Sequence, residues 1–96
     1  MIPLEEKTAY DIGIELASRT KKRRKELHLT QNQLASKSGM SLGSYKRFEQ
    51  TGQISLGSLI NIAIALDCEN EFDTLFAKRQ YRSIDEVIAD AKQSKK

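Results

Sequence analysis

Apolar residues recur at helical spacing along most of the chain. Thr8, followed three residues later by Asp11, predicts the cap of a first helix that runs to about Leu27. Within it Leu16, Thr20, Arg24 and Leu27 fall at i, i+4, i+8 and i+11, one stripe of a helix surface. Thr30 with Gln33 fits a capping box, and Leu34 and Ala35 give the second helix a small apolar face. Gly39 closes that helix, because a helix C-terminus commonly needs a residue at positive φ. Ser41 caps a third helix whose Tyr45 and Phe48, three apart, face the second. A fourth follows Ser55, with Leu56, Leu59, Ala63 and Leu66 on one side and Ile60 and Ile64 on another. A helix apolar on two sides needs two coverings. Asn70 is the expected cap of a fifth helix, in which Phe72, Leu75 and Phe76 close the core. Ser83-Ile-Asp-Glu86 is a further capping box, and Ile84, Val87, Ile88 and Ala91 share one side of a short extra helix. The prediction is an all-α fold. Residues 1–8 form a loose arm, 9–77 one five-helix domain, and 78–96 an extension with a short helix and a basic tail.

Residues 30–52 hold the chemistry. With Tyr45 and Phe48 turned inward, Leu42, Gly43, Ser44, Lys46, Arg47 and Gln50 are left on the outward surface. Two short helices, a glycine turn and an exposed polar face with an arginine describe a helix-turn-helix. The run Thr-Gln-x-x-Leu-Ala-x-x-x-Gly, a serine-rich turn and then Tyr-Lys-Arg-Phe-Glu resembles the phage lambda-repressor and Cro type of helix-turn-helix, the Xre family. The resemblance covers roughly residues 12 to 76. The chain departs from the family pattern at His28 and Thr51, where relatives often carry glycine, and at Gly57 inside the fourth helix.

Charge agrees with that resemblance. The chain carries +3 overall, with 39% apolar and 30% charged residues, which suits a soluble globular domain. Nine Lys/Arg and one acid, Glu26, lie between Arg19 and Arg47, a local +8. The remainder sums to −5, from seven basic and twelve acidic residues. Such segregation suits a polyanion on one face. The bland alternative is a merely solvated helix surface. A nuclear-localisation reading of Lys21-Lys-Arg-Arg-Lys25 fits the helical context poorly. No apolar run reaches about 18 residues and no secretion signal is visible, so the cytoplasm is the expected compartment. Cys68 alone forms no internal disulfide and reads as a small buried thiol.

The resemblance implies a sequence-specific binder of double-stranded DNA, a transcriptional regulator of the repressor kind, acting as a homodimer on a pseudo-palindromic operator. Proteins of this kind lay the second helix of the motif, here the third of the chain, in the major groove. Ser41, Leu42, Gly43 and Arg47 would then point at base edges. Arg47 is the principal reader, because a guanidinium fork matches guanine O6 and N7. Gln31, Ser44, Lys46 and Gln50 are the phosphate candidates. The resemblance also pairs Arg24 with Glu49 in a structural salt bridge. The fifth helix and the added C-terminal one supply the natural dimer surface, the alternative for the added helix being to pack over Ile60 and Ile64 of its own chain. The alternative is an antitoxin of the HipB-like group, which binds a toxin protein through the segment from Tyr81 and represses its own operon. Nothing points to catalysis, a metal or a cofactor: His28 has no second ligand beside it, and no nucleophile is paired with a base.

Overall fold

A computed structural model of the chain describes residues 6–79. Four α-helices, α1 (Ala9–Glu26), α2 (Gln31–Lys37), α3 (Leu42–Thr51) and α4 (Leu56–Ala65), precede a 3-10 helix at Glu69–Thr74. All described secondary structure is helical. Each α-helix begins at a hydroxyl cap. Thr8 and Thr30 form two-way capping boxes with Asp11 and Gln33, and Ser41 and Ser55 each accept a hydrogen bond from the amide three residues on. Such caps contribute about 0.5–2 kcal/mol apiece.

Three of the helix ends use one device. A residue turns left-handed just past the helix, and the next amide bonds back five residues: Leu29 N to Arg24 O (3.1 Å), Met40 N to Ala35 O (2.9 Å) and Cys68 N to Ala63 O (2.9 Å). The left-handed positions are His28 (φ 59°), Gly39 (φ 68°) and Asp67 (φ 59°). His28 thus takes the glycine-like backbone itself, and the departure from the family pattern leaves the turn geometry intact.

Packing is built around α3, which lies against both α1 and α2, while α2 also meets α4. The core consists of Ala17, Leu34, Ala35, Tyr45, Phe48, Ile62 and Leu66. Tyr45 and Phe48 are fully buried, their rings edge to face with centroids 6.2 Å apart.

Several sequence expectations are corrected. Leu27 is exposed, because α1 ends at Glu26 and Leu27 serves as its cap residue. Leu56, in the first turn of α4, also faces water, and Ile62 takes the inward place. The buried side of α4 is therefore Leu59, Ile62, Ala63 and Leu66, a cleaner i, i+3, i+4, i+7 set. The fifth helix is a 3-10 helix whose cap residue is Cys68, not Asn70, with no side-chain cap bond. Phe72 is half-buried, but Leu75 is 55% and Phe76 95% exposed, so these two do not close the core. The helix expected at 83–91 lies outside the described residues.

Candidate nucleic-acid interface

The interface begins with what holds α3 in place. Arg24, on the inward stripe of α1, donates from Nε to Glu49 Oε2 at 2.9 Å and from Nη1 to the Leu29 carbonyl at 2.8 Å. The Tyr45 hydroxyl donates to the same Oε2, and Gln31 Nε2 donates to Glu49 Oε1 at 2.9 Å. One carboxylate thereby ties α1, α2 and α3 together. Only 8% of the Arg24 side chain and 4% of that of Glu49 reach solvent. Burial pushes the Glu49 pKa up, yet the hydrogen bonds from Tyr45, Arg24 and Gln31 outweigh it and hold the carboxyl below its usual value. Arg24 shows the mirror image: burial lowers its pKa, and the Glu49 contact more than restores it. Burial and the Glu49 hydrogen bond both raise the Tyr45 phenol well above its ordinary range. The network keeps a charged bridge charged.

With Tyr45 and Phe48 anchored, the opposite side of α3 must face water. Ser41, Gly43, Ser44, Lys46, Arg47 and Gln50 are exposed there, and Leu42 is half-buried. The Ser41 hydroxyl accepts from the Ser44 amide at 3.1 Å and pairs with Ser44 Oγ at 2.9 Å, so both serines are first of all capping groups. Gln31 is half-buried with one amide proton on Glu49, which makes it a bracing residue before it is a surface one. Of the nine basic residues from Arg19 to Arg47, only Arg24 is buried.

The loop after α3 adds a feature that sequence reasoning missed. Arg47 Nη2 donates to Gln53 Oε1 at 2.5 Å. Thr51, where relatives often carry glycine, organises this contact. Its hydroxyl donates to the Arg47 carbonyl at 2.7 Å and accepts from the Gln53 amide at 3.2 Å. Gln53 lies six residues beyond Arg47 and off the helix, so no helical spacing announces the pair. Gly52 turns the chain at φ 74° and lies directly against the Gly13 backbone, which seats α3 on α1.

A comparison with models of known protein families matches residues 21–69 to the family described as Helix-turn-helix. That span runs from the basic part of α1 through all of α2, α3 and α4. The chain belongs to the Xre, lambda repressor-like helix-turn-helix family. No curated protein matches it.

As a helix-turn-helix protein of the Xre type, the chain is a DNA-binding transcription regulator. α2 and α3 are the two helices of the motif, and Gly39 with Met40 forms the turn between them. Among the described residues, no group of three or more His, Cys, Asp or Glu is placed to hold a metal ion, and no helix is long and apolar enough to cross a membrane. Cys68 is half-buried, and burial raises its thiol pKa, which favours the unreactive thiol form.

Proposed function

We propose that this Xre-type regulator is a repressor that grips a pseudo-palindromic operator as a homodimer, with α3 of each copy in the major groove. The observation that carries the reading is the polarity of α3: two aromatic rings buried on one side, and an exposed guanidinium on the other. Arg47 reads a guanine through O6 and N7, with Gln53 steadying the guanidinium, while Leu42 meets a thymine methyl. Ser41 and Gly43 sit where the helix end approaches the base edges; glycine contributes closeness of backbone instead of a side-chain contact. Lys46, Gln50, Ser44 and Gln31 contact phosphates and set the register. One module spans few base pairs, so two copies bind half-sites about one helical turn, roughly 34 Å, apart. The exposed apolar side chains Ile64 and Phe76 supply surface for the second copy.

Selection of bound fragments from random DNA tests the reading, with stoichiometry measured on the winning site. Two half-sites and two chains per duplex are the expected result; a single chain on an asymmetric site would remove the dimer. On that site Arg47→Ala is expected to cost about 1–3 kcal/mol and to relax preference at one base pair per half-site. A base preference identical to that of the parent protein would take Arg47 out of the reading role.

Salt titration supplies a separate check. If the dimer neutralises about six phosphates, affinity falls by about 10³-fold between 50 and 200 mM salt. A dissociation constant that stays flat over this range would contradict phosphate-driven binding.

A second reading keeps the DNA contact and adds a toxin protein as partner. Phe76, 95% exposed, favours some protein contact at this end of the domain. Co-purification with a toxin whose activity the chain suppresses would support it.

A further inference from the structure

The described domain leaves an apolar groove uncovered. It measures about 350 Å³ and runs between α1, which contributes Ile12, Leu16 and Arg19, and a wall made by α4 and the 3-10 helix. Leu59, Ile62 and Leu66 form its floor, and Phe72 and Leu75 its far side. Ile12 and Leu75 are each 55% exposed, so apolar surface on both rims faces water. An opening of this kind on a small domain marks a place where something docks. None of its lining residues comes from α2 or α3, so an occupant would leave the DNA-facing side of α3 free.

Position, pattern and size agree on one occupant. Leu75, on the groove wall, stands eight residues before Ser83, and the seven residues between them reach at most about 25 Å. Ile84, Val87, Ile88 and Ala91 recur at i, i+3, i+4 and i+7, the stripe of a helix with one apolar side. Nine such residues make a helix of about 14 Å. At 100° per residue Asp85 and Asp90 flank this stripe on its two sides, and Arg19 waits at the α1 rim of the groove. The groove is lined by twelve residues, fewer than the roughly 20–30 a side that a stable interface between separate chains uses. A tethered segment needs far less, because its effective concentration is in the millimolar range.

We propose that residues 83–91 dock in this groove of their own chain, laying Ile84, Val87 and Ile88 between Leu16, Leu66 and Leu75, with an aspartate on Arg19. The segment then covers the outer edge of the inward side of α4, at Leu59, Ile62 and Leu66, on a side the DNA does not use. The inference is independent of the operator-binding reading above.

Cys68 lines the groove and is the only cysteine of the chain, which provides a built-in reporter. In the full-length protein, Ile84→Cys, Val87→Cys and Ile88→Cys are each oxidised at low micromolar concentration with copper phenanthroline, beside Glu86→Cys as a control on the opposite side of the helix. At least one of the three should form a disulfide to Cys68 that migrates at monomer mass, and the control none. Cross-links at dimer mass would assign the groove to a second copy and overturn the proposal. Failure of all three, or equal cross-linking by the control, would also overturn it. In parallel, Ile84→Asp/Ile88→Asp should raise the rate at which a disulfide reagent labels Cys68 by about tenfold, since docking shields the thiol. An unchanged labelling rate would reject the docking. A band shift of DNA fragments by the same variant, expected to persist, reports separately on α3.

Discussion

Glu49→Ala is expected to destabilise the domain by about 3–5 kcal/mol, because it strands the buried guanidinium of Arg24 and the Tyr45 hydroxyl together. A domain of this size has about 5–15 kcal/mol in all, so the variant sits close to unfolding. At about 4–8 °C per kcal/mol, the melting temperature drops by roughly 12–40 °C, which calorimetry or circular dichroism reads directly. Arg24→Ala should lose a similar amount. Replacing both at once, Arg24→Met with Glu49→Leu, should recover much of it, since an apolar pair of similar volume needs no charge compensation. A loss below about 1 kcal/mol for Glu49→Ala would mean that the bridge is solvated and merely decorative.

The same network gives pH dependence with a definite sign. The folded Glu49 carboxyl lies below its unfolded value of about 4.3, so its stabilisation is complete above that value and fades as pH falls through the folded one. The Tyr45 phenol is raised in the folded state, so its contribution is complete below about 10 and fades at higher pH. Stability should therefore be level between about pH 5 and 10 as far as these two groups are concerned. Glu49→Gln should flatten the acid limb while lowering the plateau. An acid limb as steep in that variant as in the parent would place its origin in other carboxylates.

Gly52→Ala is the second large effect, at about 3 kcal/mol or more. The position holds φ at 74°, where a side chain costs about 1 kcal/mol, and the new Cβ would lie 2.5 Å from the Gly13 carbonyl carbon and 2.8 Å from the Ile14 amide nitrogen. These are backbone atoms of α1 and have no rotamer to swing away. Helices α1 and α3 would have to separate, which strains the Arg24–Glu49 bridge at the same time. Gly57→Ala is the matched control: nothing lies within 4 Å of its added Cβ, and alanine suits a helix better by about 0.5–1 kcal/mol. Urea denaturation of the two variants should move the midpoint in opposite directions. Equal and small shifts would show that the α1–α3 contact at Gly13 is loose.

Local rules placed the helices well because their signals are local. Thr8, Thr30, Ser41 and Ser55 announce helix starts through a hydroxyl within reach of an amide three residues on. Gly39 marks a left-handed turn for the same reason of short range. Tyr45 and Phe48, three apart, define the inner side of α3 and leave the charged side outward. Arg24 and Glu49 were legible only through the family resemblance, since 25 residues separate them and no spacing rule links them. Errors clustered at ends. Leu27, Leu56, Leu75 and Phe76 fit a helical period, but each sits at or beyond a terminus, where no neighbouring helix among the described residues buries it.

Sequence by itself determined an all-helical chain, the position of its helix-turn-helix and the aromatic pair that orients the reading helix, because capping and periodicity act over a few residues. Tertiary structure decided the rest: that Glu49 gathers Arg24, Tyr45 and Gln31, that Gln53 comes back to Arg47, that Gly52 meets Gly13, and that an apolar groove forms between α1 and α4. Most of these join residues far apart along the chain, and Gln53, only six residues from Arg47, lies off its helix; the packed fold brings their atoms within reach.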